Sequence, residues 1–504
     1  MNRLQAETTA AGLSELVPDA AFTAGLALLR ADFPELLLPA AQRLADRHRG
    51  DPRMAQLLGL AARAAGDGPL AHLAFRRAAA LAPRDPLIAH SHARAVLEAG
   101  HPAVAPFETA RRLAPKDGTV IQGLAAALVA ENRAGEAVTL LEEILVSSPL
   151  WLEGHDTLAQ IRGQHGGDVT GSLDSALTGL PAHPDLHRMR IGILLKSRRT
   201  IEVPATIAAA ESVLGAQSWL EWYRGHVASE LGMVDAADRA FAAAPPPATG
   251  ADVALLARHA LRAGRPEQAK ELIEPWLGHD PDNTLWPYAA LAWRLTDDPR
   301  IQWLQEDELV GIYDLADRIG NLTGLSDLLR ALHTAREAPL DQSVRGGTQT
   351  DGNLLLRDNP QIQALRHVVL EAVARHVARL PEKRPGHPTL IAERRPLRIT
   401  GSWSVRLQGA GFHADHVHTQ GWLSSALYVA LPESVGASTT SEQSGWLSLG
   451  ECRELLPGLA PERLVKPKPG RLVLFPSTMW HGTRPFPAGE RLTIAFDIAR
   501  PKQD

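Results

Sequence analysis

The spacing of apolar residues changes along the chain and divides it into two parts. The first 300 residues are crowded with Ala, Leu and Arg, which are strong helix formers. A further helix is predicted at about 360–379, where apolar residues fall at helical spacing. After about residue 395, Val, Thr, Ser, Trp and Gly become more frequent and the apolar segments become short. The pattern therefore predicts a helical N-terminal region followed by a domain of short strands.

The helical region contains a repeated unit. An Ala is followed four residues later by Phe, Leu or Ile and twelve residues later by Pro, in copies that begin at Ala71, Ala103, Ala137 and Ala269. The small Ala lets two amphipathic helices pack closely, and the residue four positions later lies on the same face. The Pro ends the second helix, so each unit is predicted to be a pair of helices.

This unit resembles the tetratricopeptide repeat, whose second helix carries the same signature. The resemblance covers roughly residues 15–295 and is strongest at 51–149. The Trp and Tyr that are usual in the first helix of that repeat are missing, so a related helical-repeat family is the alternative. Helical repeats stack into a solenoid with a curved groove that binds peptides or other proteins. We therefore expect a protein or peptide partner at the repeats.

Composition narrows the classes of function. A net charge of −5 gives no electrostatic reason to expect nucleic acid or an anionic membrane as the main partner. No segment approaches the ~18 uninterrupted apolar residues of a membrane span, and the residues after Met1 do not resemble a secretory signal. Cys452 is the only cysteine, which excludes an internal disulfide framework and a thiolate metal cage. We expect a cytoplasmic protein.

A chain of 504 residues is too long for one hydrophobic core, so several domains are expected. We predict a tetratricopeptide-like repeat domain at residues 1–295 and closing helices with a linker at 296–340. A Gly-rich, polar segment near residue 345 then leads into a strand domain at 341–504. The predicted fold class is α+β.

The strand domain has the layout of a double-stranded β-helix, or jelly roll. Strands are predicted at 402–407, 423–431, 470–475 and 490–496, separated by turns. Histidines lie between the first two of these strands and again at the end of the turn that follows the third. A strand, a pair of ligands, a second strand, and then a distant histidine before a final strand are typical of this fold.

The histidines are candidate metal ligands. Residues i and i+2 of a strand point to the same face, so a pair with that spacing can hold one metal ion. A third ligand, His481, would leave positions open for an oxidant and a co-substrate, as in non-haem iron oxygenases. Two pairs compete for this role, namely His413 with Asp415 and His416 with His418. Strand parity predicts that the two pairs lie on opposite faces.

Several segments after residue 340 resemble the 2OG-Fe(II) oxygenase family that is found attached to tetratricopeptide repeats in bacteria. Arg491 follows His481 by ten residues, and Thr493 lies two residues further on. The matching segments are residues 346–350, His416-Val-His418 followed by 423–429, residues 474–477 with His481, and Glu490-Arg491 before Thr-Ile-Ala-Phe. The resemblance implies an iron(II)- and 2-oxoglutarate-dependent dioxygenase that uses molecular oxygen and usually hydroxylates its substrate.

The resemblance also implies roles for individual residues. It favours His416, His418 and His481 as iron ligands, and the pair His413 and Asp415 is the alternative. Arg491 would hold the distal carboxylate of 2-oxoglutarate, because a guanidinium pairs two carboxylate oxygens at once. Thr493 would assist it, and Tyr428 is expected in the same pocket.

Two other functions are compatible with these residues. One is a cupin-type enzyme that uses three histidines without 2-oxoglutarate, for which Arg491 would have no purpose. The other is a non-catalytic repeat scaffold whose barrel is degenerate. The combined spacing of His481 and Arg491 favours the oxygenase.

Overall fold

The structure, a computed structural model, describes residues 1–433, Val435 and residues 443–503. Helices dominate the described chain up to residue 304, and strands dominate the part that follows. This order confirms the predicted α+β architecture, in which a helical region precedes a sheet domain. The helices of the first part, which we call the solenoid, are α1 (Arg3–Gly12), α2 (Pro18–Arg30), α3 (Pro34–Arg47), α4 (Pro52–Ala64), α5 (Gly68–Leu81), α6 (Pro86–Glu98), α7 (Val104–Leu113), α8 (Gly118–Ala130), α9 (Ala134–Ser147), α10 (Leu152–His165), α11 (Gly171–Gly179), α12 (Pro184–Lys196), α13 (Val203–Leu214), α14 (Trp219–Glu230), α15 (Val234–Ala243), α16 (Gly250–Arg262), α17 (Pro266–Ile273), α18 (Trp286–Leu295) and α19 (Arg300–Leu304).

Helix pairing confirms the predicted repeat. In each copy the signature Ala and the apolar residue after it lie in, or at the start of, the second helix of a pair, which is α5, α7, α9 or α17. Ala71, Phe75 and Phe107 are buried between helices. Asp51 and Asp85 accept hydrogen bonds from backbone N–H groups in the first turns of α4 and α6, which explains where these helices begin.

The helix pairs depend on a close approach that the signature does not include. Gly59 in α4 faces the ring of Phe75 in α5, and a Cβ at residue 59 would lie 2.9 Å from that ring. Gly225 in α14 and Phe241 in α15 repeat the arrangement, with a Cβ that would lie 2.6 Å from the ring. The same packing therefore continues where the sequence signature is weak.

The second part of the chain, which we call the sheet domain, contains two antiparallel sheets. The larger sheet has the strand order β1-β7-β4-β9-β3-β2, and the smaller sheet has the order β6-β5-β8. This arrangement confirms the predicted double-stranded β-helix. The elements are β1 (Gly311–Asp314), α20 (Ala316–Ile319), α21 (Leu322–Leu332), β2 (Val344–Gln349), α22 (Pro360–Arg379), β3 (Ile399–His413), β4 (Gly421–Ala430), β5 (Leu447–Leu449), β6 (Arg463–Val465), β7 (Arg471–Pro476), β8 (His481–Thr483) and β9 (Glu490–Ala499).

The two faces of the larger sheet have different roles. Leu492, Ile494 and Phe496, at alternate positions of β9, are buried in a core that also contains the apolar face of α22. The residues between them, which include Arg491 and Thr493, point to the opposite face and line an internal cavity. One face therefore stabilises the domain, and the other is available for chemistry.

The sheet domain packs along one edge of the solenoid. Arg398 forms ion pairs with Asp32 and Glu35 at the turn between α2 and α3. The backbone N–H of Asp358 donates to the carbonyl of Ala99, in the turn after α6, at 2.9 Å. At the far end of the solenoid, Trp286 and Trp293 share a hydrophobic core with Trp480. These contacts make the repeats a support for the sheet domain.

The strand pairing bears on where the sheet domain begins. β1 pairs with β7, with Gly311 opposite Leu474, and therefore belongs to the larger sheet. The helices α20 and α21 follow it along the chain. The limits of 1–295, 296–340 and 341–504 stay a prediction, and residues 434, 436–442 and 504 of the last range lie outside the described residues. In the described ranges, no helix has both the length and the apolar character that a membrane crossing needs.

Candidate metal centre

Three histidines meet where the chain leaving β3 approaches the start of β8. β3 ends at His413, and His416 and His418 follow it without a continuous strand. The backbones of His416 and His481 form an isolated antiparallel bridge, with N–O distances of 3.0 Å in both directions. This bridge places the centroids of the two rings 4.1 Å apart. His418 completes the group, and one nitrogen of each ring lies within 4.8 Å of the others.

Hydrogen bonds orient two of these rings through Nδ1. His416 Nδ1 lies 2.9 Å from the carbonyl oxygen of Ala414, and His481 Nδ1 lies 3.0 Å from that of Met479. A carbonyl oxygen can only accept, so Nδ1 carries the proton and Nε2 keeps its lone pair. This tautomer leaves the lone pair of Nε2 to a metal ion, which on His416 would replace the contact of that nitrogen with Oγ of Ser343 at 3.2 Å.

The third ring is held by Asp497, a residue that the sequence analysis missed. His418 Nδ1 lies 2.7 Å from one carboxylate oxygen of Asp497, and Ser424 donates to the other oxygen at 2.7 Å. Asp497 lies on the same face of β9 as Arg491 and Thr493, because the three positions differ by even numbers. That parity is the signal that could have identified it. Since the carboxylate accepts from Nδ1, the lone pair of His418 also lies on Nε2.

Burial keeps two of the three histidines, His416 and His481, neutral. It lowers the pKa of His416 to about 3, and the neighbouring His418 acts in the same direction. Burial likewise holds the pKa of His481 well below its ordinary value, and His416 contributes after it. Neutral imidazole is the form that binds a metal ion. His416 and His481 are therefore in their binding form at neutral pH.

The two members of the alternative ligand pair lie in different surroundings. Arg453 binds the buried Asp415, with Nε and Nη2 at 2.8 and 2.6 Å from its two oxygens. The backbone N–H of Arg453 donates to the same carboxylate at 2.7 Å. His413 instead lines the cavity of the three histidines, and its Nδ1 lies 3.0 Å from Oγ of Ser343. The structure therefore brings His413, and not the carboxylate of Asp415, to the histidine cluster.

Arg491 and Thr493 line the same cavity, whose volume is about 50 Å³. The side chain of Arg491 is only 2% exposed, and burial lowers the pKa of its guanidinium. Among the described residues, its Nε has no hydrogen-bond partner. Tyr428 is buried next to it, with its ring 5.1 Å from Cζ of Arg491. A buried guanidinium without a carboxylate partner is costly unless an anion binds to it.

Aromatic rings enclose the histidines. The ring of Phe475 lies 4.7 Å from that of His481, and the ring of Trp403 lies 5.5 Å from that of His418. These apolar walls reduce the access of water and strengthen electrostatic interactions inside the cavity. His416, His418 and Trp403 also line a wider cleft outside it.

The arrangement defines a metal centre with an adjoining anion pocket. Three imidazoles that converge in this way can bind a divalent transition metal and leave coordination positions open for other molecules. Imidazole suits iron, zinc, copper and nickel alike, so the ligands by themselves leave the metal open. Arg491 offers a planar pair of donors to a carboxylate in the same cavity.

Part of the sheet domain matches a family model. Residues 401–497 match the model of the family described as "Putative 2OG-Fe(II) oxygenase". The resemblance predicted from the sequence is thereby confirmed over these residues, which contain the three histidines, Arg491 and Asp497. No curated protein matches the chain.

Several solved structures are similar at low identity. A prolyl-4-hydroxylase from Pseudomonas putida is 15% identical, over 38% of this chain and 94% of its own, with a TM-score of 0.26. HygX from Streptomyces hygroscopicus, with nickel and 2-oxoglutarate bound, is 13% identical over 38% of this chain and 82% of its own, with a TM-score of 0.27. A tetratricopeptide repeat protein from Parabacteroides merdae is 14% identical over 47% of this chain and 91% of its own, with a TM-score of 0.29.

Proposed function

We propose that this protein is a non-haem iron(II), 2-oxoglutarate-dependent dioxygenase that hydroxylates a polypeptide. The observation that carries the proposal is one cavity that contains three converging histidines and a buried guanidinium without a carboxylate partner among the described residues. The family match over residues 401–497 supports iron(II) and 2-oxoglutarate as the metal and the co-substrate.

In this proposal His416, His418 and His481 hold the iron through Nε2. Their Nδ1 atoms stay bound to fixed acceptors, so the rings do not have to reorient when the metal binds. Bound iron(II) and 2-oxoglutarate together would supply the activation of molecular oxygen. Pre-orientation of the rings keeps the entropic cost of metal binding low.

Arg491 is proposed to bind the distal carboxylate of 2-oxoglutarate. Its two terminal nitrogens can pair both carboxylate oxygens, and the pair would neutralise the buried charge. Thr493 lines the same cavity and offers a hydroxyl to the carboxylate. Tyr428 lies against the guanidinium and fixes its plane through the cation–π contact. These residues bind and orient the co-substrate, and the rings of Phe475 and Trp403 limit the access of water.

The two alternative functions are less well supported. A three-histidine enzyme without 2-oxoglutarate would have no use for the buried charge of Arg491 in the metal cavity. A degenerate barrel would not need hydrogen bonds that fix the tautomers of His416, His418 and His481. Both features are explained together by the oxygenase.

An anaerobic titration tests the proposal. Iron(II) is added to the full chain with and without 2-oxoglutarate, and the metal-to-keto-acid charge-transfer band is recorded. We expect a band in the wild type that is lost in His481→Ala and weakened in Arg491→Gln. His367→Ala, which removes an exposed histidine of α22, is the matched control and should leave the band intact. Iron binding without any 2-oxoglutarate-dependent band would favour the three-histidine alternative, and iron binding that survives His481→Ala would favour the scaffold.

A further inference from the structure

The histidine cavity opens into a cleft that the solenoid and the sheet domain build together. The cleft has a volume of about 640 Å³, which is within the range of ligand-binding sites. Its walls include the C-terminal end of α12, the segment before β2, and the β2 strand itself. Ser343 and Trp403 line both the cleft and the inner cavity. A molecule in the cleft would therefore lie directly next to the three histidines.

One wall of the cleft is the edge of the larger sheet. β2 is the last strand in the sheet order, and within the described ranges its only strand partner is β3. In a strand, neighbouring side chains point to opposite faces of the sheet. Four consecutive residues of β2, Val344 to Gly347, nevertheless all line the cleft. The cleft therefore meets β2 at its hydrogen-bonding edge. The carbonyl of Val344 already accepts from Nη1 of Arg345 there, so an incoming strand would pair with the residues of β2 that follow it. An open strand edge is a surface that binds extended polypeptides.

The solenoid contributes an unusual residue to the lining of the cleft. The turn between the two helices of each pair from α2 to α19 contains at least one residue with positive φ, and apart from one arginine these are Asp32, Gly66, Gly100, Asn132, Gly166, Gly167, Gly232, Gly264 and Asp297. These residue types tolerate the left-handed conformation. The arginine is Arg198, with φ of 60° in the turn after α12. Arginine is unfavourable there, and a local rule is commonly broken where a residue serves a function.

Arg198 and Arg345 both line the cleft. Burial lowers the pKa of the Arg345 guanidinium, and the nearby charge of Arg198 lowers it further, while Glu454 acts in the opposite direction. Arg345 donates to the backbone carbonyls of Gln342 and Val344, which fix its position.

The other charged groups of the cleft do not neutralise this pair of arginines. Lys196 is paired with Asp156 at 2.7 Å. Glu337, Asp341 and Glu454 also line the cleft, yet in the described part of the chain no carboxylate lies within 4.0 Å of either guanidinium. Two neighbouring guanidiniums without counter-ions form a site for a carboxylate.

We propose that the cleft binds an extended peptide segment along the edge of β2, and that Arg198 and Arg345 hold an acidic side chain of this segment. The proposal rests on the proposed function, because it names the substrate class of the same site. Arg198 belongs to a helical repeat and lines the active-site cleft. The proposal therefore gives the solenoid a direct role in binding the substrate.

The test uses three fluorescein-labelled dodecapeptide mixtures that are identical except for two central positions, which are Glu, Gln or Lys. Binding to the full chain, loaded with iron(II) and 2-oxoglutarate without oxygen, is measured by fluorescence polarisation. We expect the Glu mixture to bind about tenfold more tightly than the Gln mixture. This preference should disappear in the double variant Arg198→Gly, Arg345→Gln. A Glu mixture with N-methyl groups on alternate backbone nitrogens should bind about tenfold more weakly if it pairs with β2.

Asn132→Gly is the matched control for Arg198→Gly. Both variants place Gly at a left-handed turn position. Arg198→Gly should raise the Tm, whereas Asn132→Gly should change it little because Asn tolerates this conformation, and only Arg198→Gly should reduce the preference for Glu. Equal binding of the Glu and Gln mixtures by the wild type would overturn the acidic-substrate proposal, and equal binding of the N-methylated mixture would overturn the pairing with β2. If the charge-transfer band never forms in the wild type, the proposed function fails, and the peptide mixtures still report independently on the cleft.

Discussion

Asp497 accepts a hydrogen bond from Nδ1 of His418 at 2.7 Å, and this contact connects the last strand of the sheet to the metal centre. It holds the imidazole with Nε2 directed to the two other histidines, and Ser424 holds the carboxylate in turn. Contacts of this kind raise the basicity of a ligand and fix its orientation.

We therefore expect Asp497→Ala to weaken iron(II) binding by about 10- to 100-fold. Asp497→Asn keeps an oxygen that can accept from Nδ1 and should have a smaller effect. The affinity is measured by anaerobic titration in the presence of 2-oxoglutarate, and the far-ultraviolet spectrum checks the fold. Equal affinity of both variants and the wild type would show that the contact does not position His418.

Asp415→Ala and His418→Ala separate the two possible ligand pairs. Asp415 is paired with Arg453, so the loss of this carboxylate leaves the partly buried guanidinium of Arg453 without its main partner. We expect Asp415→Ala to lower the free energy of unfolding by about 3 kcal/mol and to keep the charge-transfer band. His418→Ala should lose the band with little change in stability. Loss of the band in a folded Asp415→Ala protein would instead identify His413 and Asp415 as the ligand pair.

Arg491→Met tests whether the buried guanidinium serves the co-substrate at the expense of stability. Removal of a buried charge without a partner should raise the free energy of unfolding by about 2 kcal/mol when 2-oxoglutarate is absent. At 100 times its Kd, 2-oxoglutarate should stabilise the wild type by about 2.7 kcal/mol. This gain in the free energy of unfolding should vanish in Arg491→Met. Urea denaturation with and without 2-oxoglutarate measures both effects.

Arg330→Met is the control for this substitution, since Arg330 is paired with Glu490 and Asp327 near the surface. It should keep the stabilisation by 2-oxoglutarate. If Arg491→Met is destabilising and keeps the response to 2-oxoglutarate, the guanidinium has a structural role only.

His387 makes the stability of the sheet domain depend on pH. Its Nδ1 accepts hydrogen bonds from the backbone N–H groups of Thr389 and Leu390, and its Nε2 lies 3.1 Å from the carbonyl of Trp303. Burial lowers the pKa of His387 to about 4. The folded state thus binds fewer protons than the unfolded state between about pH 6.5 and pH 4, so stability falls as the pH falls through this range.

The contribution of His387 to this loss is at most about 3 kcal/mol. His387→Gln, which cannot be protonated, should flatten the decline in the free energy of unfolding between about pH 6.5 and pH 4. Denaturation curves at several pH values compare the slopes. An unchanged slope would assign the acid sensitivity to other buried groups, such as His376, whose pKa burial also lowers to about 4.

The repeats, the β-helix and the approximate place of the metal centre could all be predicted from local patterns. The repeat signature and the alternation of the strands depend on neighbours within about one element, so they are visible in the sequence. The positions of His481 and Arg491 at the ends of strands were visible for the same reason. A two-residue spacing brings ligands to one face, but only while the strand continues.

The sequence by itself therefore determined the two architectures and the residue types that carry the chemistry. The tertiary structure decided which histidines converge, because β3 ends at His413 and strand parity does not extend to His416 and His418. It also decided that Arg453, from a distant loop, binds Asp415. The contribution of the solenoid to the cleft depends in the same way on contacts between residues far apart in the chain. Such contacts are set by how the elements pack, and no local pattern records them.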